Sequence, residues 1–257
     1  MNIGKISTII LTKNSENNIA DCIDSVKQLS GEIIVVDDDS TDRTIDLVKH
    51  LGCKVFNFQA ESFSEKRNFG MKKAKYKWIF YIDEDERVTP ELKESILRVV
   101  EKEDKKVAAY RVKRKNFYLG KNEWPYIEKL ERLFNKSLLK EWFGELHETA
   151  RVDGEISELD GYLEHYTHQN LGKMVEKTAK WSAIEAELRF KSNHPRMSAW
   201  RFFRVMVTAF YGSYFKQKGY RAGTAGLIES IYQSFSMFIT YARLWELQNR
   251  QKNQNAK

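Results

Sequence analysis

Three polar clusters each follow an apolar run before residue 90. Thr12-Lys13-Asn14-Ser15-Glu16 follows residues 6–11. Asp37-Asp38-Asp39-Ser40-Thr41-Asp42 follows residues 32–36, and Asp83-Glu84-Asp85-Glu86 follows residues 78–82. Carboxylates crowded this way repel a bare phosphate group but hold a divalent cation well. Mg2+ or Mn2+ binds through one or two carboxylates and bridges diphosphate oxygens. Asp83-x-Asp85 suits that work, with one carboxylate for the metal and another for a ribose hydroxyl. A lone cluster of this kind is a solvated loop with a helix cap. Three of them at one sheet edge point to a shared site. Other phosphate devices are missing: no GxGxxG follows the first apolar run, and no GxxxxGK[ST] occurs.

The elements that position these clusters alternate. Apolar runs at 6–11, 32–36, 54–58 and 78–82 read as strands, and helical spacing marks 17–29, 42–51 and 64–74. Ser40 and Thr41 are placed to cap the second helix, and Gly52 stands where a helix ends. Thr89-Pro90 opens a fourth helix to residue 101. Strands alternating with helices imply βαβ units and a mostly parallel sheet, with ligands beyond the carboxyl ends of its strands. After residue 107 the strands become shorter, at 107–112, 117–119, 130–134 and 161–165. From residue 169 the chain reads as helical. The expected plan is an α/β domain over 1–168, with a change of pattern near 105, and a helical extension over 169–257.

Length and composition agree with this plan. The chain has 257 residues, 42% hydrophobic and 31% charged, with three prolines, enough for a full core without disulfide staples. Cys22 and Cys53 have no framework or metal-ligand spacing and suggest a reducing, cytoplasmic compartment. The N-terminal apolar run is too short for a signal peptide. The net charge of +7 is unevenly placed: residues 189–257 hold 12 basic and 2 acidic groups, whereas 1–150 hold 27 and 26.

Taken together, Thr12-Lys13-Asn14 with Glu16, Val36 to Asp42, Lys66-Arg67-Asn68-x-Gly70 and Asp83 to Glu86 resemble family 2 glycosyltransferases of the GT-A fold. Trp142-x-Gly144-Glu145-Leu146-His147-Glu148 and Tyr162-Leu163-Glu164-His165-Tyr166 resemble the subgroup of lipopolysaccharide-core β-glucosyltransferases. The resemblance implies inverting transfer from a nucleotide sugar, usually UDP-linked, to a glycan or lipid-linked acceptor. It implies that Thr12, Asn14 and Glu16 face the nucleotide and that Asp38 contacts uracil. Arg67 then lies near the base or diphosphate, Asp83 reaches the ribose, and Asp85 binds Mg2+ or Mn2+ with His165 completing the metal site.

An inverting displacement needs a base for the acceptor hydroxyl. Many family members use an Asp in a Thr-Glu-Asp-type motif, and no Thr-Glu-Asp occurs in this chain. The Gly144 to Glu148 segment is the substitute, with Glu148 ahead of Glu145 and His147 orienting either or lying near the diphosphate. A sugar nucleotidyltransferase is a second reading, though its glycine-rich loop is missing. A degenerate interaction module on the same fold is a third. The basic stretch 102–121 alternates along a strand and reads as a solvated face rather than a nucleic-acid stripe. Aromatic stripes among the C-terminal basic residues suggest an anionic membrane surface as partner, on the inner face of the cytoplasmic membrane, while core packing and an oligomer interface stay open.

Overall fold

A computed structural model describes residues 5–60, 62–102, 104–144 and 148–255, with side chains as far as 250. Two compact units emerge, one from residues 1–115 with 128–165, the other from 116–127 with 166–257.

In the first unit, β1 (Ile6–Thr12), β2 (Glu32–Asp37), β3 (Lys54–Asn57) and β4 (Trp78–Asp83) pair in parallel in the order β3-β2-β1-β4. The crossovers are α1 (Ile19–Val26), α2 (Thr44–His50) and α3 (Phe63–Lys73). The period-2 alternation of the strands feeds two cores. Ile6, Ile10, Trp78, Phe80 and Ile82 face α1 and α4 (Pro90–Lys102). Ile9, Leu11, Ile79 and Tyr81 face the opposite side, with Phe63 and Phe69 of α3 packed there. Ser62 caps α3 by accepting from the Glu65 amide. Ser40 and Thr41 do not cap α2. The Ser40 hydroxyl donates to Asp37 Oδ1, and Asp42 Oδ1 instead accepts from the Thr44 amide.

Beyond β4 the sheet continues antiparallel. It adds β8 (Glu128–Asn135), β6 (Val107–Tyr118), β11 (Glu155–Tyr166) and β5 (Glu86–Val88), in the order β4-β8-β6-β11-β5. β8 runs antiparallel to both β4 and β6, and β11 runs antiparallel to β5. Parallel pairing requires a long crossover, and the connections after β6 carry none. β9 (Leu139–Phe143) and β10 (Thr149–Val152) form a separate hairpin over the α3 side. On β6, Arg111 is exposed and pairs with Glu131 at 2.7 Å, whereas Arg114 turns inward to Glu86 and Glu128, so the basic stretch is not a solvated face throughout.

In the second unit, β7 (Asn122–Glu123) pairs with the end of β6. α5 (Leu171–Lys191), α6 (Ala199–Tyr211) and the 33-residue α7 (Gly223–Asn255) pack around Ala186, Met197, Val205, Tyr241 and Leu244. Glu229 is buried there and accepts from Gln233 Nε2 at 2.6 Å, with His168 Nδ1 3.2 Å from each of its carboxylate oxygens.

Candidate active site

The strand register places three carboxyl ends abreast. Thr12 pairs with Asp37 and Leu11 with Asp83, so the polar clusters after β1, β2 and β4 meet at one edge. Asn14 takes the left-handed conformation, φ 51°, which its short polar side chain tolerates. Its amide donates to Ser40 Oγ at 2.9 Å, and its side-chain oxygen accepts from the Thr41 amide at 2.8 Å. Glu16 accepts from the Arg43 amide at 3.1 Å, and its own amide donates to Asp42. Asn14 and Glu16 thus stitch the first loop to the second. The Thr12 hydroxyl is buried without a partner among the described residues.

Asp38 lies under two ammonium groups, with Lys66 Nζ at 2.9 Å and Lys13 Nζ at 3.3 Å. Burial alone would raise its carboxyl. The two lysines outweigh that effect and hold it below the usual carboxylate value.

α3 lies close enough to β1 to deliver Arg67 because Gly70 has no side chain. A Cβ at that position would come within 2.7 Å of Ile9 Cγ2. The Arg67 guanidinium stacks over Trp142 at 4.9 Å and Tyr81 at 5.5 Å. Asn68, next along the helix, fixes that indole by bonding both the amide and the carbonyl of Trp142 at 2.8 Å. Arg67 is 4% exposed and donates to Asp83 Oδ1 at 3.2 Å and twice to Glu148 Oε1, at 2.9 and 3.1 Å. Its Nη1 is buried without a partner among the described residues.

From Asp83 a chain of alternating charge runs across the sheet. Arg132 Nη2 donates to Asp83 Oδ2 at 2.6 Å and to Glu86 Oε1 at 2.7 Å. Arg114 Nη1 reaches the same Glu86 oxygen at 2.9 Å, and its Nη2 reaches Glu128 at 2.6 Å. The Asp83 amide donates to Glu86 Oε2, closing the acidic turn on itself. Burial would raise the Asp83 carboxyl, but the Arg132 and Arg67 charges hold it far below the ordinary range. Glu84 is shifted the other way. Burial, then the Asp85 and Asp83 carboxylates, push it up to about 8, and Ser15 Oγ donates to it at 3.2 Å.

His165 enters from the far side of the sheet. In the β11–β5 register it stands opposite Glu86, and its Nε2 comes within 3.2 Å of Asp85 Oδ2.

Residues 7–152 match glycosyl transferase family 2. An uncharacterized glycosyltransferase of Rickettsia typhi is 30% identical over 263 residues, covering 97% of this chain and 89% of its own. The chain belongs to glycosyl transferase family 2. The lipopolysaccharide core biosynthesis glycosyltransferase LpsC of Rhizobium meliloti is 25% identical, over 94% of this chain and 92% of its own. The crystal structure of S. aureus TarS 1–349 in complex with UDP-GlcNAc is also similar. It has 14% identity and a TM-score of 0.49 over 96% of this chain and 92% of that one.

In this glycosyltransferase the candidate site lies at the carboxyl ends of β1, β2 and β4, at one edge of the α/β sheet. Asp38, Arg67, Asp83, Asp85, Glu148 and His165 are each tied by a direct side-chain contact to another charged group of that edge. Glu145 and His147 lie outside the described residues. Sequence reasoning placed Glu86 in the acidic cluster but missed its pairing with Arg114 and Arg132, and the stacking of Arg67 on Trp142. The signal for Arg132 was an arginine inside the strand pattern Leu130-Glu131-Arg132-Leu133-Phe134, where a charge is tolerated only if paired.

For a divalent cation, Asp85 and His165 offer an oxygen and a nitrogen donor in one place; the carboxylate suits Mg2+ or Mn2+, and the imidazole favours Mn2+ of the two. Among the described residues no group of three or more His, Cys, Asp or Glu converges on a metal position. A site with so few protein donors suits an ion whose other positions go to substrate phosphate and water.

Proposed function

We propose that the protein transfers a sugar from a UDP-linked donor to a hydroxyl of a glycan or lipid-linked acceptor, with inversion at the anomeric carbon. The observation that carries this reading is the meeting of Asp38, Arg67, Asp83 and the Asp85–His165 pair at the carboxyl edge of β1, β2 and β4. A lipopolysaccharide-core acceptor is supported by the likeness to LpsC along nearly the whole chain.

The division of work follows from the contacts. Asp38, held ionised by Lys66 and Lys13, accepts from the nucleobase. Asp83, kept as a carboxylate by two arginines, faces the ribose while 27% exposed. The buried Arg67 Nη1 has a hydrogen to give, and a diphosphate oxygen is the acceptor that suits a guanidinium. Asp85 and His165 would hold Mn2+ or Mg2+, which when bound neutralises charge on the departing diphosphate.

In the displacement the acceptor oxygen bonds to the anomeric carbon as the bond to the diphosphate breaks. The acceptor proton passes to a carboxylate of the 145–148 segment. Glu148 is 19% exposed, and its Oε1 is held by Arg67, leaving Oε2 without a hydrogen-bond partner among the described residues.

Calorimetric titration with UDP, with and without Mn2+, tests the reading. Affinity should rise with Mn2+ in the native chain and lose that dependence in Asp85→Ala. Equal UDP affinity in both proteins with Mn2+ present would remove the metal assignment.

A further inference from the structure

The exposed faces of α6 and α7 are apolar where a helix in water should be polar. On α6, Trp200 is 67% exposed and Phe203 59%, and Val207 and Tyr211 continue the same stripe in the open. On α7 every exposed residue from Leu227 to Phe238 is apolar: Leu227, Ile228, Ile231, Phe235 and Phe238. The two helices pack together through Phe202 and Phe238, with rings 5.7 Å apart, and through Ser234 Oγ donating to the Met206 carbonyl. Contiguous apolar faces of this kind mark interaction surfaces.

Charge identifies the occupant. Residues 189–228 contain eight Lys or Arg and no Asp or Glu. Arg201, Arg204, Lys216 and Lys218 lie within or just after the α6 stripe. Two copies meeting through this face would bring like charges together. A nucleic acid would leave Leu227, Ile228 and Ile231 without apolar partners. An anionic bilayer meets both requirements, since acyl chains take the apolar side chains and headgroups take the cations. Exposed Trp200, Tyr211 and Trp245 are the residue types that prefer the headgroup level. Among the described residues no helix is long and apolar enough to cross a membrane, so the contact is with the surface.

We propose that α6 and α7 dock this protein on an anionic lipid surface, with the exposed aromatic and aliphatic stripe inserted and the surrounding Arg and Lys against the headgroups. The inference concerns the second unit alone and is independent of the assignment of the catalytic groups.

The test is flotation of the full chain with phosphatidylcholine vesicles, with and without phosphatidylglycerol. The protein should float with the phosphatidylglycerol vesicles and remain behind with phosphatidylcholine alone. Binding should weaken between ~0.01 M and ~1 M salt, as the screening length falls from about 30 Å to about 3 Å. Arg201→Ser with Arg204→Ser should weaken partitioning by about 25-fold, since each basic residue at such a surface contributes about fivefold. Trp200→Ser with Ile231→Ser alters side chains that pack little in the fold, so it should leave the melting temperature in place and abolish flotation. Failure to float with anionic vesicles at low salt would overturn the proposal. So would unchanged flotation of the Trp200/Ile231 variant, or sedimentation as a dimer that the same variant converts to monomer.

Discussion

At the residue scale the site is a problem of keeping opposite charges together with little water. Asp83 and Glu86 share Arg132, and Asp83 and Glu148 share Arg67. Removing one partner of a buried pair leaves its counterpart desolvated, at a cost of about 3–5 kcal/mol. Arg132→Leu should therefore lower unfolding stability by about that much, read from urea denaturation. A near-native midpoint would show that Asp83 and Glu86 do not depend on it. Glu148→Gln keeps the shape and an acceptor for Arg67 but cannot take a proton. Turnover should fall by about 10²–10⁴-fold with UDP affinity little changed. If Glu145→Gln shows that pattern and Glu148→Gln does not, the base is Glu145.

At the element scale, two contacts set how strands and helices meet. Glu32, at the start of β2, accepts from Ser7 on β1, from Lys54 on β3 and from the Lys75 amide. Burial would raise its carboxyl, but the Lys54, Ser7 and Lys75 donors together lower it below the ordinary 4.5. A depressed carboxyl contributes stability above its unfolded value and loses it as pH falls through the folded value. Glu32→Gln should cost about 1–2 kcal/mol near neutral pH. The gap to the native protein should close as the pH drops below 4.5. A gap that stays constant with pH would assign the loss to packing rather than charge. Gly161 of β11 has φ 87°, and a Cβ there would meet the Leu92 amide nitrogen at 2.3 Å. Gly161→Ala must push α4 away from the sheet and should destabilise by ~3 kcal/mol or more. Thermal melting of the variant checks this.

At the scale of the whole molecule, a ligand that binds only the folded chain reports on the assembled donor site. UDP with Mn2+ at 100 times its dissociation constant should stabilise the protein by about 2.7 kcal/mol. Adenosine diphosphate with Mn2+ at the same concentration should give a smaller melting shift if Asp38 reads the pyrimidine. Equal shifts would remove that role from Asp38. The molecule is also divided in charge. Its basic excess lies in residues 189–257, whereas residues 1–150 are nearly balanced, so salt should affect lipid contact more than donor binding.

What the sequence determined is what local pattern can determine. Strands β1, β2 and β4, the helices between them and the polar clusters at their ends are legible because alternation, helical spacing and short crossovers act over a few residues. The family was legible for the same reason, since Asp38, Arg67-Asn68-x-Gly70 and Asp83-x-Asp85 are fixed spacings along the chain. The tertiary structure decided which charges meet. His165 reaches Asp85 from 80 residues away through the β11–β5 register, and Glu148 reaches Arg67 from 81. Arg132 and Arg114 converge on Glu86 only because β8 lies between β4 and β6. A register shift of one residue would turn His165, Arg132 and Arg114 to the other face, and residue type alone does not encode that register. Asn14 and Glu16 show the same division. Their positions mark the site, but the fold alone decides that their side chains join the first loop to the second.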